Sequence, residues 1–260
     1  MAALVEGPFE AEVERITFRG EGGEPVGAIH ARPGGMPKLG LVLHPDVLGI
    51  RPLFDDLCRR LASHGLAVCA PEPYNHVVGH EDLDAAARME RAKDLDDATQ
   101  LENLEAAADW LVVHDDVSEV AILGFCMGGM YALKASGSGR FTRAVACYGM
   151  IRVPEPWRGP GQGEPLELAA DPCPTLAIFG AEDHWTPPAD IEALRALWAT
   201  CSECEIVVYE GADHGFIHDA TRPAHRAADA ADAWSRVLRF LGVSPAPDPS
   251  DAGASDAALL

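Results

Sequence analysis

Val117-Ser-Glu-Val-Ala-Ile-Leu-Gly-Phe-Cys126-Met-Gly-Gly-Met-Tyr-Ala-Leu-Lys-Ala-Ser136 reads as an apolar strand, Val117 to Phe125, running straight into a helix, Gly128 to Ser136. Cysteine stands at the junction, inside Gly124-Phe125-Cys126-Met127-Gly128-Gly129. A reactive side chain held on so sharp a turn needs neighbours without a Cβ, so that strand and helix can approach closely; Gly124 and Gly128 fill those places. The thiol then sits at a helix N-terminus, where the dipole favours a thiolate, and the Met127 amide points to where an oxyanion would form.

Outward from this turn, short apolar runs alternate with helical periods, as in a parallel sheet. Leu39 to His44, Leu66 to Ala70, Ala144 to Tyr148, Thr175 to Phe179 and Glu205 to Tyr209 read as strands. Pro52 to His64, Ala189 to Trp198 and Pro223 to Leu241 read as helices. The polar stretch Glu81 to His114 contains a long helix, with Leu101, Leu104, Ala108 and Leu111 at helical spacing. Ahead of these, Ala11 to Phe18 and Pro25 to Ala31 alternate on either side of a glycine cluster, which predicts an antiparallel hairpin. Arg152 to Pro174, rich in Pro and Gly, is either a loop over the site or only a long connection. Residues 1–242 read as a single domain, and the Ser-, Pro-, Ala- and Asp-rich residues 243–260 as a flexible tail.

A nucleophile at this turn calls for an acid and then a histidine further along the chain. Gly180-Ala181-Glu182-Asp183 follows a strand, placing Asp183 at a strand's C-terminal end, where sites in α/β proteins are built. Gly211-Ala212-Asp213-His214-Gly215-Phe216 follows the last strand and places His214 just before the closing helix. His214 would take the thiol proton while Asp183 holds its tautomer. Glu182 and Asp190 are alternatives for the acid, and His184 and His218 compete weakly for the base. The expected fold is α/β, an α/β-hydrolase with a mostly parallel central sheet and helices on both faces.

Composition limits the partners. The chain has 260 residues, 48% apolar and 23% charged, as in a globular protein. A formal charge of −21 would repel polyanions, so nucleic acid is not an expected partner. No signal peptide or stretch of about 20 apolar residues is found, so neither membrane association nor export is expected and the cytoplasm is the simplest location. Seven cysteines, scattered through apolar segments, read as free thiols rather than a disulfide framework. The lone Cys201-Ser-Glu-Cys204 is too little for zinc, and a redox pair is little better supported. His76 to His80 with Glu81 and Asp82 reads as a solvated loop rather than a metal site. No phosphate-binding glycine loop follows the first parallel strand, and no cofactor is expected.

Taken together, the G-x-C-x-G-G turn, the G-x-x-D loop and the H-G-F loop resemble the dienelactone hydrolase family over roughly residues 11 to 242. Leu41 to Ile50 (LVLHPDVLGI) and Ala70-Pro71-Glu72-Pro73-Tyr74 are similar to family landmarks. The resemblance implies a hydrolase of small esters or lactones, carboxymethylenebutenolidase-type or a related carboxylesterase, with a Cys126-His214-Asp183 triad. It also implies the Val47 amide as second oxyanion donor and a carboxylate, here Asp46 where glutamate is typical, that modulates the thiol. Tyr74, His76 and His218 stand where the family contacts substrate. Histidines there replace the arginines that grip a substrate carboxylate, and a neutral imidazole binds carboxylate more weakly than a forked guanidinium. Arg51 and Arg222 are candidate substitutes. The expected partner is a small-molecule ester or lactone, and the expected assembly a monomer or homodimer. The reading from another class is a thiol-based sensor or binding protein on a hydrolase fold, without turnover.

Overall fold

The computed structural model describes residues 1–243; the expected tail lies, but for Val243, outside them. Eight strands form one sheet: β1 (Ala11–Arg19), β2 (Pro25–Pro33), β3 (Leu39–His44), β4 (Leu66–Pro71), β5 (Val120–Phe125), β6 (Arg143–Cys147), β7 (Thr175–Gly180) and β8 (Cys204–Tyr209). Their order is β1-β2-β4-β3-β5-β6-β7-β8. The hairpin β1/β2 is antiparallel, as is β2 against β4, and every other neighbouring pair is parallel. This is the α/β-hydrolase fold expected above. Strands β3, β4, β5 and β7 are buried along their whole length, which explains why they read as unbroken apolar runs instead of alternating ones.

The helices are α1 (Pro52–Ser63), α2 (Ala85–Arg91), α3 (Asp97–Asp115), α4 (Met127–Ser136), α5 (Pro165–Leu168), α6 (Pro188–Leu197) and α7 (Ala227–Phe240). The long helix expected before His114 is α3, and it buries Leu104, Ala108 and Leu111. It is preceded by the separate short α2, because Asp84 and Asp96 each cap a new start, accepting from the amides of Ala87 at 2.8 Å and Thr99 at 3.1 Å. The closing helix begins four residues later than the periodicity suggests. Arg226 folds back onto the carbonyl of Gly211 at 3.0 Å and so holds the preceding stretch in a turn.

One expectation is corrected. Cys201 and Cys204 are joined as a disulfide, not free, because the tight turn into β8 brings their Cα atoms to 5.5 Å, within bridging distance. The other five cysteines are free thiols. No helix among the described residues is long and apolar enough to cross a membrane.

The sheet carries its functional loops at the C-terminal ends of β3, β5, β6, β7 and β8. These strands run parallel and adjacent, so residues distant in the chain meet at one rim.

Candidate active site

The turn after β5 is built by exclusion of side chains. A Cβ on Gly124 would lie 1.9 Å from the carbonyl oxygen of Gly128, and one on Gly128 would lie 2.1 Å from that of His44. Only glycines let β5, α4 and β3 approach so closely. Cys126 itself has φ 57° and ψ −118°, a conformation that L residues rarely adopt, and it opens α4 as its N-cap residue. The amide of Cys126 donates to the Cys147 carbonyl at 3.0 Å, which helps secure the strained turn to β6.

Asp183 and His214 leave the ends of β7 and β8. The Nδ1–H of His214 donates to Asp183 Oδ2 at 2.7 Å, and the Trp185 amide donates to Asp183 Oδ1 at 2.8 Å. Both oxygens of this buried carboxylate are therefore engaged. With Nδ1 taken, Nε2 is the nitrogen left for Cys126; it is buried and makes no hydrogen bond of ordinary geometry. Burial opposes a charge on His214. The charge of Cys126 and the contact with Asp183 outweigh it, and the imidazole is raised to about 10. The competing groups lie elsewhere: Glu182 and His184 are exposed, and Asp190 pairs with Arg152 at 2.9 Å.

A cavity of about 360 Å³ opens over Cys126 and His214. Its apolar and aromatic lining comes from Val47, Leu48, Met89, Trp157 and Trp185; the two indoles stack at 5.7 Å between centroids, 21° apart. Its charged lining comes from Asp46, Arg51, Asp219 and Arg222. Trp157 belongs to the segment from Arg152 to Pro174, so this segment does cover the site. Arg51 is committed, donating to Asp46 Oδ1 and Oδ2 at 2.7 Å each. The Arg222 guanidinium makes no hydrogen bond or ion pair among the described residues, and it is the cation left available to a ligand.

Four expected residues sit differently from their reading. Asp46 lines the cavity but is already saturated by Arg51, by His218 Nε2–H at 3.0 Å and by the Leu48 amide at 3.0 Å. No hydrogen bond joins it to Cys126. His218 is fully buried, stacked on Phe125 at 4.9 Å, with Nδ1 accepting from the Tyr148 hydroxyl. Burial lowers its pKa, with Arg51 and Arg222 adding to this against the pull of Asp46, so the ring is neutral. Tyr74 is also fully buried, beneath the loop, its hydroxyl 2.9 Å from the carbonyl oxygens of Val47 and Arg88. His76 bonds to Asn103 at 3.0 Å and faces a separate hollow formed by residues 75–82. None of Tyr74, His76 and His218 therefore lines the cavity. Family register says which loop a residue is on, not which way its side chain turns.

The amide of Val47 donates to no backbone acceptor among the described residues, and Met127 is the first residue of α4. Asp183, His184 and Asp213 bring three ligand-type atoms within 4.8 Å of one another, but Asp183 is already committed through both oxygens. Reading by residue missed Trp157, Trp185, Met89 and Tyr148. Tyr148 alone left a signal, as the residue that follows β6 at the same rim.

The chain is 32% identical over 250 residues to the "Putative carboxymethylenebutenolidase" of Escherichia coli (strain K12), covering 92% of this chain and 90% of that one. It is 30% identical over 238 residues to the carboxymethylenebutenolidase of Rhodococcus opacus, covering 90% and 92%. The crystal structure of a "Putative Dienelactone Hydrolase" from Klebsiella pneumoniae superposes with a TM-score of 0.81 at 29% identity, over 89% of this chain and 98% of that chain. The model of the dienelactone hydrolase family matches residues 26–244. The chain belongs to the dienelactone hydrolase family, and it is an ester or lactone hydrolase.

Proposed function

We propose that the protein hydrolyses a small ester or lactone carrying an anionic group, with Cys126 as nucleophile, His214 as base and Asp183 as the group that orients the base. His214 holds the thiol proton as an imidazolium. The Cys126 thiolate attacks the acyl carbon, and the oxyanion that forms is received by the amides of Val47 and Met127. Collapse breaks the ester C–O bond, and the departing alkoxide takes the proton from His214, leaving a thioester. In a lactone, the new hydroxyl stays tethered to the acyl chain. Water then loses a proton to His214 and attacks the thioester, which releases the carboxylic acid and restores the thiolate–imidazolium pair.

The observation that carries this reading is the junction of three loops: a strained Cys126 at the sheet rim, beside an imidazole whose far nitrogen is bonded at 2.7 Å to a buried carboxylate. Arg222 supports the anionic substrate, since it is an unpaired cation that lines the same cavity as Cys126 and His214. The volume of about 360 Å³ suits a ligand of only a few rings.

The test is Cys126→Ala assayed on a panel of small aryl esters and unsaturated lactones. Turnover should vanish, with an intact-mass shift on acylation seen only in the unsubstituted enzyme. Undiminished turnover would overturn the mechanism. A thiol that reacts with iodoacetamide, alongside no hydrolysis of any panel member, would favour the sensor reading.

A further inference from the structure

Two buried tyrosines take no part in the proposed chemistry, yet both lead to the same short loop. Residues 46–49 follow β3 and carry the Val47 amide. Asp46 shapes this loop from within: its carboxylate accepts from the Leu48 amide at 3.0 Å, and its carbonyl from the Gly49 amide at 2.9 Å. The Asp46 carboxylate is in turn held from outside by Arg51 and by His218. Behind His218 stands Tyr148, whose hydroxyl donates to Nδ1 and so leaves the proton on Nε2 to be donated to Asp46. Tyr148 has φ 39°, an unusual conformation for a bulky residue, and its backbone amide donates to Ile178 at 2.6 Å. Its ring also stands edge-on to His214 at 5.1 Å. From the other side, the Tyr74 hydroxyl reaches the Val47 carbonyl.

We infer that Tyr148, His218 and Tyr74 are positioning residues for the oxyanion site: the chain Tyr148–His218–Asp46–Arg51 on one side and Tyr74 on the other fix the loop so that the Val47 N–H can donate to the oxyanion that forms on the acyl carbon bonded to Cys126. On this account Asp46 anchors a loop and does not switch the thiol. Its oxygens are fully occupied, and turning one toward sulfur would break the Arg51 pair and strand a buried charge. The inference rests on the proposed mechanism, because only a reaction that develops an oxyanion needs the Val47 amide held still. A donor displaced by a fraction of an ångström loses much of its effect on the transition state while ground-state binding changes little.

The test separates hydrolysis from alkylation. Alkylation of Cys126 by iodoacetamide requires the thiolate and passes through no oxyanion. Tyr148→Phe, His218→Leu and Tyr74→Phe should each lower kcat for an aryl ester about 10-fold, with KM changed by less than about twofold. Cys126 alkylation should continue at the rate of the unsubstituted enzyme. His218→Gln keeps a donor where Nε2 stands and should restore most of the lost kcat. Thermal unfolding of each variant identifies any that simply fail to fold, and His218→Gln against His218→Leu then decides the matter. Alkylation that changes along with hydrolysis in folded variants would overturn the inference in favour of thiol control. Full hydrolysis in Tyr148→Phe and His218→Leu would overturn it outright. Cys126→Ala that remains active would instead defeat the underlying mechanism, a distinct outcome.

Discussion

Two histidine–aspartate pairs lie at the rim of the sheet, from histidines four residues apart, and their imidazoles are shifted in opposite directions. His214 and Asp183 are 2.7 Å apart, and His218 and Asp46 are 3.0 Å apart. Burial pushes both imidazoles toward neutrality. What differs is the third charge. Beside His214 stands Cys126, whose negative charge adds to that of Asp183 and raises the imidazole. Beside His218 stands Arg51, which already satisfies Asp46, and Arg51 and Arg222 together disfavour a second positive charge. The comparison teaches that contact with a carboxylate does not make a histidine a base. The carboxylate must have no stronger cation, and the other ring nitrogen must face a group that gives up a proton.

The largest effect should separate the two pairs by activity. His214→Gln should lower kcat/KM on an aryl ester by about 10⁴-fold, whereas His218→Gln should stay within about threefold. Equal losses would dissolve the distinction. Next in size, Asp183→Asn should cost about 10³-fold, since an amide there can turn the imidazole to the wrong tautomer. Asp190→Asn, which breaks only the pair with Arg152, should leave the rate within about twofold.

A smaller effect concerns the substrate. Arg222→Ala should raise KM about 10-fold for an ester carrying a carboxylate, because a charge-assisted hydrogen bond is lost, and should leave neutral esters unchanged. A uniform change across both classes would show that Arg222 shapes the cavity rather than reading charge.

The smallest effect is on stability, where the two histidines act in opposite pH windows. His214 keeps its proton in the folded state to about pH 10, whereas in the unfolded chain it loses it near 6.5. Its contribution is therefore complete below about 6.5 and is lost as pH rises toward 10. His218 is depressed, so the unfolded chain takes up its proton first on acidification; its contribution is present above about 6.5 and is lost as pH falls below that value. Urea midpoints should fall less steeply from pH 7 to 10 in His214→Gln, and less steeply from pH 6.5 downward in His218→Gln. Unaltered slopes would contradict the assignment of charge.

Much of this site is legible before any coordinates, and the reason is geometric. Gly124 and Gly128 are forced by backbone contacts that admit no Cβ, so they mark the turn in the sequence itself. Asp183 and His214 follow because parallel neighbouring strands must deliver their loops to one end. What stays hidden depends on side-chain direction. The closure of Arg51 onto Asp46, five residues earlier, needs the loop's actual path. So does the inward turn of Tyr74 and His218, which register alone placed near substrate. Trp157 reaches the cavity only because the segment from Arg152 folds back over the rim, a contact that no local pattern announces. The Cys201–Cys204 bridge depended likewise on a turn whose tightness the spacing permits but does not require.

The most direct measurement follows both imidazoles by NMR as a function of pH, in the unsubstituted enzyme and in Cys126→Ser. His214 should remain protonated well above pH 8 and should titrate markedly lower once the sulfur is replaced, while His218 stays neutral at pH 6.5 in both. Both rings titrating together near 6.5, with no response to loss of the sulfur, would contradict the pairing of Cys126 with His214 on which the account stands.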